Sequence, residues 1–310
     1  MAERSFKNQE KNDSSYYLIK EKIAGKMVYL IFLETFDGLY TTIGLRLPPG
    51  NGPYPLVLLA SGNGGEGMGW IKENMERNSY TLDLIVEAGY ACAWVRYRTE
   101  VELGYNEGGK LIRDKRQGRE LFNRSPLEYE DQIAVIEGLK KFKEIDPSKI
   151  GLIGMSHGGE MVLKILSEYG GVSAAVASEP ASHEFLCLTP DASAFVNQET
   201  KLRNIESMQM QEVDKVKALI DTETAMARIK TIKTPIFVMG RNADELQGIF
   251  RLTFELLKDS SKDVIWKTYD HDLHGFIFPE KNEKGRYIVD SVQKSAIEDI
   301  ISFLSKYLKN

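Results

Sequence analysis

The chain has 310 residues, 42% of them hydrophobic and 27% charged, the balance of a soluble globular protein. A formal net charge of −5 gives no support to a nucleic-acid or anionic-membrane partner. The two cysteines, Cys92 and Cys187, form neither a disulfide framework nor a metal-ligand spacing and read as reduced core thiols. No apolar run reaches the roughly 18–20 residues of a membrane span. The polar N-terminal stretch has no apolar signal core, so a cytoplasmic location is expected.

In chain order, the runs 16–23, 27–34 and 39–48 are separated by short turns at Gly25 and Asp37-Gly38. They predict antiparallel strands leading into a larger sheet. Six further runs follow at 55–60, 90–95, 149–154, 172–178, 235–240 and 263–269. Most are short and nearly all apolar, as strands buried on both faces of a parallel sheet are. Helical patterns lie between them at 79–89, stopped by Gly89, and at 126–145, with a last helix over 286–308. Alternating strands and helices predict right-handed crossovers and a doubly wound α/β sheet in a single domain over 1–310.

Two long connections interrupt this rhythm. Residues 97–125 carry the basic stretch 110–119, which reads as a solvated loop beside Asp114 and Glu120. Residues 181–234 read as a cap insertion, with one or two amphipathic helices over 197–230 containing Met208, Met210 and Met226. Those methionines either fill core gaps or line an apolar acyl site under a lid.

The chemistry centres on Gly154-Met155-Ser156-His157-Gly158, a G-x-S-x-G match. A buried strand pattern precedes it and a helical pattern follows, the strand–turn–helix setting that a nucleophile elbow requires. Glycines permit the sharp turn, and the helix N-terminus aims backbone N–H groups at the serine. Ser156 is the predicted nucleophile, and it needs a base.

There are four histidines, His157, His183, His271 and His274. His157 lies inside the motif, poorly placed to reach its neighbour's hydroxyl. His274, followed by Gly275 in the loop after the last strand, is the predicted base, with His271 as substitute. Loops at the carboxyl ends of parallel strands form the active face of such sheets.

A carboxylate must orient that imidazole. Asp244, four residues past the run 235–240, is the predicted acid, with Glu245 as the near alternative. Glu179, at the end of the run 172–178, also reaches the active face, either as acid or as a supporting pocket residue. The oxyanion donors are assigned to the backbone N–H groups of His157 and Asn63, with Gly62 or Gly64 as substitutes, because a glycine-rich loop follows the strand at 55–60. Neither a metal nor a nucleotide fingerprint is present, so no cofactor is expected.

These motifs, "SGNGG", "DPSKIGLIGMSHGG", "GRNADELQG" and "HDLHGF" in that order over roughly 40–310, resemble the α/β-hydrolase superfamily. More narrowly, they resemble its dienelactone hydrolase and prolyl-oligopeptidase-like branch. The resemblance implies an eight-stranded, mostly parallel sheet and acyl transfer to water without a cofactor. The chain departs from that branch in carrying Ser156 where dienelactone hydrolases typically carry cysteine. Ser61 stands where a histidine often precedes the oxyanion-loop glycine, and the chain has no length for a propeller.

The expected activity is therefore hydrolysis of a small-molecule carboxylic ester, in a chain compatible with a homodimer. A small peptidase or amidase with the same triad is the second reading, with Glu179, Glu66 and Glu184 as candidate holders of a free amine. A ligand-binding relative without catalysis is the third.

Overall fold

The computed structural model describes residues 16–60, 67–95, 127–188 and 211–309. The antiparallel strands are β1 (Tyr16–Ile23), β2 (Lys26–Glu34) and β3 (Tyr40–Arg46). They lead into β4 (Tyr54–Ala60), β5 (Ala91–Val95), β6 (Ile145–Met155), β7 (Ala174–Ser178), β8 (Ile236–Arg241) and β9 (Val264–Tyr269). All nine form one sheet in the order β1-β2-β3-β5-β4-β6-β7-β8-β9. From β5 to β9 the pairing is parallel, and β3 meets β5 antiparallel. This is the doubly wound α/β-hydrolase architecture expected. It has one strand more than the resemblance implies, because the hairpin β1–β2 extends the antiparallel edge.

The described helices are α1 (Gly67–Arg77), α2 (Ser79–Glu87), α3 (Leu127–Leu139), α4 (His157–Glu168), α5 (Val213–Lys217), α6 (Thr222–Thr231), α7 (Gln247–Asp259) and α8 (Ser291–Leu308). Successive side chains of a strand point to opposite faces, and β4 divides its residues accordingly. Leu56, Leu58 and Ala60 pack on one face with Val135, Ile136 and Leu139 of α3, Val162 and Leu166 of α4, and Phe250 of α7. Val57 and Leu59 pack on the other with Met75 of α1, Leu82 of α2 and Ile300 and Leu304 of α8. Nearly continuous apolar strands are the consequence of helices on both faces.

Three boundaries differ most from the sequence reading. The helix over 126–145 ends at Leu139, and β6 begins at Ile145. Asp146 precedes Pro147, which disfavours helical backbone there, while Tyr54 N–H bonds Glu144 O and pairs this stretch with β4. The last helix begins at Ser291 rather than 286, where Asp290 and Gln293 form a capping box. Helices α1 and α7 have no counterpart in the sequence reading.

Helices α5 and α6 belong to the stretch expected to form a cap. Val216 and Ile229 enter the core, and half-buried Met226 packs against it, so Met226 fills a core gap. Met208, Met210 and the rest of the cap expectation at 189–210 lie outside the described residues. So do the basic stretch 110–119 and all of 97–125. Cys92 is buried in β5, Cys187 is half-buried, and both are free thiols. Among the described residues no helix is long and apolar enough to cross a membrane.

Leu58 is fully buried between β4 and the helices on its face. Leu58→Ala should lower unfolding stability by roughly 2–5 kcal/mol through lost burial and a residual cavity. Urea denaturation followed by circular dichroism would read this as a lower midpoint.

Candidate active site

Ser156 stands between the end of β6 and the start of α4 with φ 56° and ψ −120°. This backbone conformation costs a non-glycine residue on the order of 1–3 kcal/mol. The surroundings hold it there. Ser156 N–H donates to Ser178 O at 3.0 Å, and Ser156 O accepts Ala181 N–H at 3.1 Å. A Cβ on Gly154 would collide with the Gly158 carbonyl, and one on Gly159 would come within 2.9 Å of Pro180 Cα. Gly154 of the motif, and Gly159 just beyond it, are therefore required by close backbone approach. Ser156 is half-buried.

The imidazole of His157 turns away from this turn into the protein, 5% exposed, with Nε2 2.8 Å from Glu128 Oε2. Its backbone N–H lies in the first turn of α4, where the helix itself supplies no acceptor. The other predicted oxyanion donor, Asn63, and its substitutes Gly62 and Gly64 lie outside the described residues.

Asp244 and His274 come together although 30 residues separate them. Beyond β8 the chain turns tightly, with Leu246 N–H donating to Asp244 Oδ1 at 2.8 Å. This aims Asp244 Oδ2 at His274 Nδ1, 2.8 Å away. Asp244 is 3% exposed. Burial pushes its pKa up, but the His274 hydrogen bond, the Leu246 N–H and the Arg241 charge outweigh this and lower it. Burial likewise opposes the charged form of His274, but the Asp244 hydrogen bond and the Glu179 and Asp244 charges raise its pKa above the ordinary value.

The neighbour of His274 lies against the neighbour of Ser156: a Cβ on Gly275 would come within 3.1 Å of Met155 Cε. Among the described residues Ser156 makes no side-chain hydrogen bond to His274. Such contacts are commonly long in ligand-free sites and tighten around substrate.

The alternatives are placed elsewhere. His271 stacks on Phe276, accepts Leu273 N–H at Nδ1 and lies 3.1 Å from Asp290 Oδ2 through Nε2. Glu245 is exposed. His183 is buried with Nδ1 3.1 Å from Ala181 O, and burial lowers its pKa.

Glu179 is fully buried at the end of β7, also with positive φ, 46°. Its Oε1 lies 3.4 Å from His274 Nδ1. Glu179, Asp244 and His274 together offer atoms close enough for a metal ion. They are not read as metal ligands, because the Arg241 guanidinium already supplies the positive charge there, 2.9 Å from Asp244 Oδ2 and 3.5 Å from Glu179 Oε1.

Arg241 and Glu160 had no role in the sequence reading. Arg241 Nη1 donates to the carbonyls of His271 and Asp272, tying the His274 loop to β8. An arginine closing the apolar run 235–240 is the one sequence signal for it. Glu160 Oε1 accepts the N–H groups of Glu184 and Phe185, and nothing in the helical pattern marks it as buried.

The strand–turn–helix at Ser156 and the paired acid and histidine on the same sheet edge define an α/β-hydrolase. Residues 74–308 match the dienelactone hydrolase family model, and the chain belongs to that family. It is therefore a hydrolase by family. No curated protein matches the chain by sequence.

Among solved structures, it is similar to a hyperthermophilic esterase from the archaeon Pyrobaculum calidifontis, with 15% identity and TM-score 0.57 over 95% of this chain and 86% of that one. It is similar to a thermostable carboxylesterase cloned from a metagenomic library, with 15% identity and TM-score 0.58 over 96% and 91%. It is also similar to the acylaminoacyl peptidase of Pyrococcus horikoshii, with 16% identity and TM-score 0.60 over 96% of this chain and 42% of that one. At these identities the likeness is one of fold.

Burial would raise the pKa of Glu160, but the His157 imidazole beside it and the Lys164 charge hold it at about 2, below the ordinary 4.5. A depressed folded-state pKa contributes stability above the unfolded value that is lost as pH falls toward the folded one. Glu160→Gln should therefore remove on the order of 3 kcal/mol of stability at neutral pH. It should also flatten the stability profile between about pH 4.5 and 2. Unfolding midpoints measured across that range check both.

Proposed function

We propose that the protein is a serine hydrolase cleaving carboxylic esters. Ser156 Oγ attacks the ester carbonyl carbon, and His274 Nε2 accepts the hydroxyl proton. Asp244 holds Nδ1 and stabilises the imidazolium that forms. The first-turn N–H of His157 faces the developing oxyanion, with Asn63 as its partner donor. His274 then gives the proton to the leaving alcohol. Water, activated by the same imidazole, attacks the acyl-enzyme to release the acid and regenerate the serine. A small-molecule ester is the substrate class, and no step requires a cofactor. The 2.8 Å hydrogen bond between Asp244 and His274 carries this reading, supported by the strained, glycine-packed turn at Ser156.

The peptidase reading needs acidic residues converging on a substrate amine. Glu184 is taken by Lys164 at 2.6 Å, and Glu179 is fully buried with Oε1 beside His274. Those pairings favour the ester. Glu66 lies outside the described residues.

Hydrolysis of p-nitrophenyl esters across acyl chain lengths tests the proposal, with matched p-nitroanilides as the amide arm. Ser156→Ala should reduce ester turnover by roughly 10³-fold or more. A wild type that cleaves anilides faster than esters would reverse the assignment. The raised His274 pKa sets the sign of the pH dependence. Ester kcat/KM should fall as pH drops through the imidazole pKa, with the acidic limb above the ordinary histidine value of about 6.5.

A further inference from the structure

His274 Nδ1 faces two carboxylates. Asp244 holds it at 2.8 Å, and Glu179 Oε1 stands 3.4 Å away. Glu179 is anchored at one oxygen only: Oε2 accepts Gly275 N–H at 2.9 Å, and Gly275 is the residue after His274. Oε1 is buried and has no hydrogen-bond partner among the described residues. A buried carboxylate oxygen in that state is costly unless a neighbouring charge compensates it. The strained backbone of Glu179 is held by its own N–H, which donates to Met239 O at 2.8 Å, so the side chain is presented to the histidine by strands β7 and β8 together.

Charge counting gives this arrangement a purpose. The described charged groups facing Glu179 are His274 and Asp244 from the loops after β9 and β8, and Arg241 from the end of β8. Arg241 donates to Asp244 Oδ2 through both Nε and Nη2. These two donors on one oxygen offset most of the Asp244 charge, while Glu179 Oε1 stands further from the guanidinium at 3.5 Å. An imidazolium formed beside the Asp244–Arg241 pair gains less than it would beside Asp244 alone, because the guanidinium offsets part of the opposing charge. With Glu179 ionised, the same group carries one uncompensated negative charge, and a proton arriving on His274 makes it neutral.

We propose that Glu179 is a second acid of this site, a positioning residue that sets the His274 loop through Gly275 and supplies the uncompensated charge that stabilises the His274 imidazolium. The proposal rests on the serine-hydrolase reading above. It assigns Asp244 the orientation of the ring and Glu179 much of the electrostatic work. It also makes Glu179 the acceptor for Nδ1–H when Asp244 is lost, since a small movement closes the remaining 3.4 Å. Burial raises the Glu179 pKa to about 7, against the opposing pull of His274.

The test uses the full chain with Glu179→Gln, Asp244→Asn and the double variant. Both replacements keep an oxygen for the backbone N–H that each carboxylate accepts. Ester kcat/KM and the NMR titration of the His274 imidazole are measured for each. Glu179→Gln should lower the imidazole pKa by about one to two units and move the acidic limb of kcat/KM down with it. Asp244→Asn should lose about 10²-fold, against the roughly 10⁴ of a site with a single acid, and the double variant should lose more than the product of the two.

Glu179→Asp, which keeps the charge one methylene further back, should restore at least half of the lost shift. The proposal is overturned by a His274 titration that Glu179→Gln leaves unmoved. It is equally overturned if Asp244→Asn is already as inactive as the double variant, or if Glu179→Asp titrates like Glu179→Gln. The titration needs no turnover, so the two readings fail separately. A wild type without ester hydrolysis removes the serine-hydrolase reading while the NMR shift still decides Glu179. Ester turnover that depends on Ser156, with an unmoved titration, removes Glu179 alone.

Discussion

At the junction of β6 and α4, two backbone segments approach so closely that no side chain fits between them. Gly154 lies against the carbonyl of Gly158, and Gly159 against Pro180. That contact forces the reversal between strand and helix into one residue, and Ser156 takes the positive φ. The strain is stable because the parallel neighbour β7 grips the same residue through Ser178 O, while the segment beyond β7 grips it through Ala181 N–H. The serine is thus lifted off the sheet edge by backbone packing.

The second half of the site is assembled from loops that have no local reason to meet. Strand pairing brings them together. Arg241 and Tyr269 are register partners at the ends of β8 and β9, so the loops beyond them start side by side. Arg241 then bonds forward to Asp244 and across to the carbonyls of His271 and Asp272. One guanidinium fixes the acid and the histidine loop relative to each other. Glu179 closes the group from β7 through Gly275 N–H. The consequence is a set of buried charges, Asp244, Glu179 and Arg241, beside the exposed His274, which links the electrostatics of the site to the proton transfer proposed for it.

Beneath the turn lies a separate polar network. His157 meets Glu128, Glu160 holds the chain beyond β7 by two backbone N–H groups, and Lys164 pairs with Glu184. It braces α4 against α3 and the segment 181–188, so the residue beside the predicted nucleophile is anchored by its own side chain. Buried carboxylates are tolerated because each has cationic or N–H partners. The ring of His157 is consumed by this role, so only its backbone N–H, in the first turn of α4, is left for the donor role proposed for it.

Strands β4 to β8 were legible because burial on both faces leaves a mark in the chain itself, short runs of apolar and β-branched residues, whereas β1 to β3 were legible through the turns at Gly25 and Asp37-Gly38 that separate them. Ser156 was legible for a related reason, since its turn needs glycines at fixed offsets. Asp244 and His274 could be nominated because carboxyl-terminal loops of parallel strands share one edge. Local patterns could not separate Asp244 from Glu245, or His274 from His271, because in each case both residues sit in the same loop. The tertiary structure sets the direction of each side chain, pointing Asp244 inward beside Arg241 and His274 and stacking His271 on Phe276. Glu179, Arg241 and Glu160 read along the chain as ordinary charged residues. Their pairing across β7, β8 and the loop after β9 exists only once the sheet forms, because charge compensation in a buried site is set by distances between segments far apart in sequence.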